Sequence, residues 1–142
     1  VLEPHEDVVN SAETLRYVAE QVNSATFGVN ADLSTFLLAG LDPVRECSAV
    51  ADLCRLVHLN DMRRVSKEHP AYQYRSVRGE TYAGTAVGDG EIDIRGCIQA
   101  LVSRGFGGPF SLECLCMEQA LQGVQKSLEN IQKILQEVNC RE

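Results

Sequence analysis

The feature that most limits the fold of this chain is a short apolar run followed by an amphipathic helix, met four times in succession. Val1 to Pro4 reads as the end of a strand. Asn10, with Glu13 at the third helical position, then opens a helix in capping-box fashion. Leu15, Val18, Ala19 and Val22 give that helix its stripe. Thr26 to Ala31 is a second strand built on the β-formers Phe27 and Val29, and Asp32 closes it. Asp42-Pro43 is a cap followed by a first-turn proline, and Val44, Cys47, Ala51 and Cys54 continue at helical spacing. Leu56 to Leu59 is a third, buried strand. Asp93 caps the next helix, on which Ile94, Cys97, Ile98, Leu101 and Val102 share a face, and Gly105 stands where a terminating glycine belongs. Phe110 to Leu112 is the fourth strand, ending at Glu113. A last helix runs from about Met117 to Val138, with Ala120, Leu121, Val124, Leu128, Ile131, Ile134 and Leu135 on one face. Between Asp61 and Gly90 no period is sustained, and Pro70, Gly79, Gly84 and Gly88 punctuate the stretch, so residues 62–90 read as one long loop. Tyr72, Tyr74, Arg75 and Arg78 there would serve as a lid, a dimer arm or a solvated insertion.

Repeated β-α units imply an α/β fold with parallel strands joined by right-handed crossovers. A complete eight-unit barrel takes roughly 250 residues. Four units in 142 residues therefore make half of a (β/α) barrel, or else a small open sheet of flavodoxin-like size, and in either case a single domain. The chain is 44% hydrophobic and 23% charged, values of a globular protein rather than a disordered one. No apolar run approaches the roughly 20 residues of a membrane span. Thirteen basic residues against 20 acidic ones give a net charge of −7, and apart from Arg63-Arg64 the basic residues are scattered, which disfavours nucleic acid as a partner. The sequence starts without an initiator Met, a cationic segment or an apolar signal core. A piece of something longer, working in the cytoplasm, is the expectation. Cys47, Cys54 and Cys97 fall on apolar helix faces and, with Cys114, Cys116 and Cys140, read as reduced structural thiols. Cys114 and Cys116 lack the partners that a zinc site needs.

Glu3, Asp32, His58 and Glu113 each stand at the C-terminal end of a different strand. In a β/α barrel those ends share one mouth, where the chemistry of such folds is placed. Singly, each is explained by helix capping, solvation or a structural hydrogen bond. Together, three carboxylates and one imidazole form an oxygen-rich set suited to a divalent ion such as Mn²⁺ or Mg²⁺, with Co²⁺ or Zn²⁺ as further candidates.

Several segments carry a resemblance: Val1-Leu2-Glu3-Pro4-His5, Phe27 to Asp32, Leu56-Val57-His58-Leu59-Asn60-Asp61, Val87 to Asp93, and Gly105 to Glu113. In order and spacing the chain resembles the second half of the xylose isomerase-like TIM barrels, the sugar isomerases and epimerases that include inosose isomerase and ketose 3-epimerases. The resemblance implies strands five to eight of a barrel. It also implies that Glu3, Asp32, His58 and Glu113 are metal ligands, that Glu3 and Glu113 double as the acid/base pair, and that Arg64 contacts substrate hydroxyls. The expected substrate is a small sugar or a keto acid. Thr35 departs from relatives that carry His three residues after the metal-binding Asp, and the interval from His58 to Glu113 is long for a compact epimerase.

The implied reaction is isomerisation or epimerisation through an enediolate. A dehydroshikimate dehydratase-like elimination is the close alternative. The endonuclease IV group shares the His-Leu-Asn-Asp wording at His58 to Asp61, but this chain has three histidines in all and no Asp-Arg-His motif. A non-catalytic half-barrel interaction module is the reading from another class. A half-barrel leaves open sheet edges, so it should either self-associate or bind a missing N-terminal half. A monodisperse monomer in sedimentation equilibrium would count against that expectation.

Overall fold

The computed structural model describes residues 1–5, 8–116 and 119–139. Cys140 and the expected helix start at Met117 lie outside the described residues. Ser11 opens α1 (Ala12–Val22): its hydroxyl accepts from the Thr14 amide, and the Thr14 hydroxyl accepts from the Ser11 amide. The cap thus stands one residue beyond the expected Asn10. Among the residues of the expected stripe Leu15 is fully buried, whereas Val22 faces solvent.

β1 (Val29–Asp32) is buried along its whole length and runs parallel to Leu2, which bridges to Val29. It leads without a turn into α2 (Leu33–Leu38), a helix absent from the sequence reading. α3 (Pro43–Val50) follows, its N-terminus capped by Asp42. It ends one turn earlier than the spacing suggests. Cys54 is the first residue of β2 (Cys54–Leu59), paired with Val29, not a helical residue. A small apolar side chain suits either element, and the Val29 amide bond to the Leu53 carbonyl at 2.9 Å draws this segment into the sheet.

The stretch expected to be one long loop contains three strands, β3 (Asp61–Arg64), β4 (Gln73–Arg75) and β5 (Thr81–Thr85), which form an antiparallel sheet in the order β3-β5-β4. They are three to five residues long, too short for a visible alternation. The sheet closes over a small core of Leu38, Met62 and Tyr82, against which Tyr74 and Leu115 pack. Arg78 ties it to the α2–α3 turn by donating to the Gly40 carbonyl at 2.5 Å. Tyr74 and Arg78 therefore anchor the insertion, while Tyr72 remains exposed.

α4 (Ile94–Val102) behaves as read: Asp93 accepts from the Gly96 amide at 2.8 Å, and Ile94, Cys97, Ile98 and Leu101 are buried. Val102 points outward. β6 (Phe110–Leu112) pairs in parallel with β2, giving the sheet order β1-β2-β6 with Leu2 beside β1. α5 (Ala120–Asn139) buries Ile131 and half-buries Ile134, Leu135 and Val138, but Leu121 and Leu128 are exposed. Its N-terminal half docks instead through Ser127, whose hydroxyl accepts from the Val87 amide at 2.9 Å. The main core lies between the parallel sheet and the helices, with Leu33 and Phe36 of α2 buried in it beside residues of α1, α3, α4 and α5. No helix among the described residues is long and apolar enough to cross a membrane.

The turn from β5 to α4 is organised by Asp61, which is wholly buried and accepts from the amides of Met62, Gly88, Gly90 and Ile92. Burial pushes its carboxyl above the ordinary carboxylate range, against the pull of those four donors. A side chain at Gly90 would run into the Asp61 carboxylate, so only glycine permits this approach. Asp61→Ala leaves the donors without an acceptor and should cost about 2–4 kcal/mol, read as a lower urea midpoint.

Candidate metal centre

The parallel register aligns Asp32 with His58 and His58 with Ser111, so the strand ends carrying Asp32, His58 and Glu113 stand side by side. The Glu113 amide extends the ladder by donating to the Leu59 carbonyl at 3.0 Å. Glu3 follows Leu2, whose carbonyl accepts from the Asn30 amide at 2.8 Å. Glu3, Asp32 and His58 converge, and Glu113 approaches the same imidazole. His58 Nδ1 lies 2.7 Å from Glu3 Oε1, 3.5 Å from Asp32 Oδ2 and 3.7 Å from Glu113 Oε2. The ligand atoms of Glu3, Asp32 and His58 all fall within 4.8 Å of one another.

His58 Nδ1 is buried and makes no hydrogen bond, although Glu3 Oε1 stands 2.7 Å away, an ion-pair distance for a protonated ring. A buried imidazole nitrogen without a partner is costly unless something else satisfies it. Here Glu3 Oε1, Asp32 Oδ2 and His58 Nδ1 lie close enough together to share one divalent cation, with Glu113 Oε2 3.7 Å from the same nitrogen. Three oxygens and one nitrogen suit a hard or borderline ion. The residues present therefore fit a metal.

Asp32 combines two roles that compete as readings of the sequence. Its Oδ1 caps α2 by accepting from the Thr35 amide at 2.8 Å and from the Ser34 hydroxyl at 2.9 Å, while Oδ2 faces the cluster. Two asparagines complete the arrangement. Asn60 Nδ2 donates to Asp32 Oδ2 at 2.7 Å and to Glu113 Oε2 at 2.8 Å, and Asn60 Oδ1 accepts from the Ser34 amide at 2.8 Å. Asn30 Nδ2 donates to Glu3 Oε1 at 3.0 Å. Neither asparagine was singled out by function in the sequence. The signal was the two-residue period of a strand, since Asn60 lies two residues after His58 and Asn30 two before Asp32.

Arg64 is not brought to the cluster. Its guanidinium pairs with Glu80 at 3.0 Å, donates to the Tyr82 hydroxyl at 3.2 Å and lies 5.7 Å from the centroid of the Tyr82 ring. The Tyr82 hydrogen bond, with the nearby charges of Glu80 and Glu91, holds its pKa above the ordinary arginine value. Thr35 contributes its backbone amide to the Asp32 cap, so that position supplies no imidazole.

Because Asn60 aligns two of the four carboxylate and imidazole donors, Asn60→Ala should weaken Mn²⁺ binding about 10- to 100-fold in calorimetric titration while the fold persists by circular dichroism.

The geometry agrees with the comparisons. The model of the family described as xylose isomerase-like TIM barrel matches residues 1–134. Among solved structures, a xylose isomerase domain protein from Planctomyces limnophilus is 20% identical with a TM-score of 0.76, covering 97% of this chain and 47% of its own. An L-ribulose 3-epimerase is 15% identical with a TM-score of 0.73, covering 99% of this chain and 48% of its own. A xylose isomerase-like TIM barrel protein from Mycobacterium smegmatis, in complex with magnesium, is 22% identical with a TM-score of 0.71, covering 96% of this chain and 42% of its own. A D-tagatose 3-epimerase-like protein, a mannonate dehydratase, a probable 3-DHS dehydratase and a protein with a bound zinc atom are also among the matched folds. The chain thus spans about half the length of the structures it matches. No curated protein matches it. With the family model matched over residues 1–134, this chain belongs to the xylose isomerase-like TIM barrels.

Proposed function

We propose that this chain supplies the metal-carrying half of a sugar or polyol isomerase or epimerase that works through an enediolate. The observation that supports it best is the buried, hydrogen-bond-free His58 Nδ1 facing three carboxylates. Glu3, Asp32, His58 and Glu113 would hold a divalent ion, Mn²⁺ or Mg²⁺ by the hardness of the donor set. Such an ion polarises a substrate carbonyl and makes the neighbouring C–H acidic.

The remaining chemistry falls to the chain. Glu3 and Glu113 are about half exposed, whereas Asp32 is nearly sealed at 6%. Only the first two can therefore reach a substrate, which fits them for removing a proton from one carbon and returning it elsewhere. Asp32 and His58 are left to fixed roles in holding the ion. Asn60 and Asn30 keep the two exposed carboxylates oriented through one oxygen each.

The same pair of carboxylates can drive loss of water from a keto acid, and dehydratases share the fold. Product analysis separates the two. Isomerisation or epimerisation conserves the substrate formula and exchanges a carbon-bound hydrogen with solvent, whereas elimination creates a conjugated double bond. A non-catalytic half-barrel predicts neither. The small-molecule substrate, completion of the barrel by an N-terminal half or a second copy, and a cytoplasmic site of action belong to the same proposal. The five free cysteines among the described residues are at home in a reducing compartment.

In the full-length protein, Glu3→Gln and Glu113→Gln should each lower kcat on a ketose by about 10²–10⁴-fold, with solvent deuterium incorporation falling in parallel. Chelation should abolish turnover and Mn²⁺ restore it. Wild-type protein that neither exchanges hydrogen nor eliminates water across a ketose and keto-acid panel would reject the catalytic reading.

A further inference from the structure

Two thiols stand beside the metal centre and take no part in it. Cys114 and Cys116 follow Glu113 directly, flank Leu115 in the sequence and are both part-exposed, unlike the buried Cys47, Cys54 and Cys97. Their sulfurs are neighbours. The two thiols share a hydrogen bond, and Cys114 Sγ also donates to the Ala120 carbonyl at 3.7 Å. Gly123 on α5 makes room for the pair: a Cβ there would stand 2.8 Å from Cys114 Sγ and 3.0 Å from Cys116 Sγ, so the glycine leaves the space beside which both sulfurs lie.

Residues two apart in a chain hold their Cα atoms roughly 5.5–7 Å apart, which overlaps the roughly 4.4–6.8 Å that a disulfide spans. A bond between the two sulfurs would close a small ring across Leu115. Strained, accessible disulfides of this kind are easily reduced, which is the property of a reversible bond and not of a structural staple. The segment that would carry the ring is held at two points. Upstream, the Glu113 amide donates to the Leu59 carbonyl at 3.0 Å, and Glu113 Oε2 accepts from Asn60 Nδ2 at 2.8 Å. Inside the ring, Leu115 packs on the Leu38–Met62–Tyr82 core, and its carbonyl lies where a side chain at Gly84 would stand. Ring closure changes the backbone between these points, and the side chain able to follow it is that of Glu113, which is about half exposed.

We propose that Cys114 and Cys116 form a reversible disulfide on meeting a low-molecular-weight disulfide, and that its closure weakens the metal site through Glu113. The first half of that statement rests on the two thiols alone, and the second rests on the proposed function. Cys114 gives up its proton, attacks one sulfur of the small disulfide and releases one small thiol, leaving a mixed disulfide. Cys116 then gives up its proton, attacks the Cys114 sulfur and releases the second small thiol. One S–S bond breaks for each that forms, the two cysteines lose two electrons, and the small disulfide gains them. Burial and the neighbouring Cys114 push the Cys116 pKa up to about 11, and capping of Cys114 removes the second of those causes before Cys116 has to react.

The test treats the full chain with oxidised glutathione, blocks the remaining thiols with N-ethylmaleimide and maps the tryptic peptides by mass. The peptide between Arg104 and Lys126 carries both residues and no other cysteine. It should become lighter by two hydrogens and carry no maleimide, and dithiothreitol should restore both labelling sites. Cys114→Ser and Cys116→Ser should each abolish that species in favour of a glutathione adduct. In calorimetric titration the oxidised chain should bind Mn²⁺ about tenfold more weakly than the reduced chain. The chain with both Cys114→Ser and Cys116→Ser should bind it equally after either treatment. A peptide that stays fully labelled by maleimide, a stable glutathione adduct on both cysteines, or a bond from either to another cysteine overturns the pair. A disulfide that leaves Mn²⁺ affinity unchanged overturns the coupling to Glu113. Absence of Mn²⁺ binding in the reduced chain defeats the metal reading and the coupling with it, while the masses alone decide the disulfide.

Discussion

The parallel hydrogen-bond ladder from Leu2 through β1 and β2 to β6 is the constraint from which the site follows. Strands in a parallel sheet lie about 4.8 Å apart, so residues at matched heights on adjacent strands bring their side chains within reach of one point. Asp32 and His58 are matched partners, and Glu3 and Glu113 stand just past the ladder on either side. Repulsion among three carboxylates would spread them apart. Asn30 and Asn60 oppose that by donating to Glu3, Asp32 and Glu113 from within the sheet. A register slip of one residue on β2 would turn His58 to the opposite face and remove Asn60 with it.

What could be read in the sequence follows from the same geometry. Strand ends are visible where an apolar run stops at a charged residue, as at Asp32 and Glu113, whereas His58 stands out as the polar side chain within the apolar run Leu56 to Leu59. α4 could be read because its cap, its stripe and its terminating glycine agree. α2 could not: Asp32 ends a strand and caps a helix at once, and no turn residue separates the two. At Cys54 the sequence pattern is ambiguous, because a buried strand and a helix face make the same demand of a small apolar side chain. Asn60 was hidden for another reason. Its amide looks like a turn residue until its partners, Asp32 and Glu113, are seen across two strands.

The insertion shows how tertiary structure can override a weak local pattern. Strands of three to five residues have little periodicity, and the glycines among them resemble loop punctuation. Their hydrogen bonds, the Leu38–Met62–Tyr82 core and the Asp61 clamp make them a sheet nonetheless. That sheet holds Arg64 among Glu80, Tyr82 and Glu91 and sets Arg63 near the start of α5. The two adjacent arginines thus acquire separate surroundings, because neighbouring residues on a strand face opposite sides.

The central claim is that Glu3, Asp32, His58 and Glu113 form one metal site. Crystals of the chain soaked in Mn²⁺ and measured at the manganese absorption edge test it most directly. The account predicts a single strong anomalous peak within coordination distance of Glu3 Oε1, Asp32 Oδ2, His58 Nδ1 and Glu113 Oε2. No peak at the strand ends, or one bound by carboxylates with His58 turned away, would contradict it.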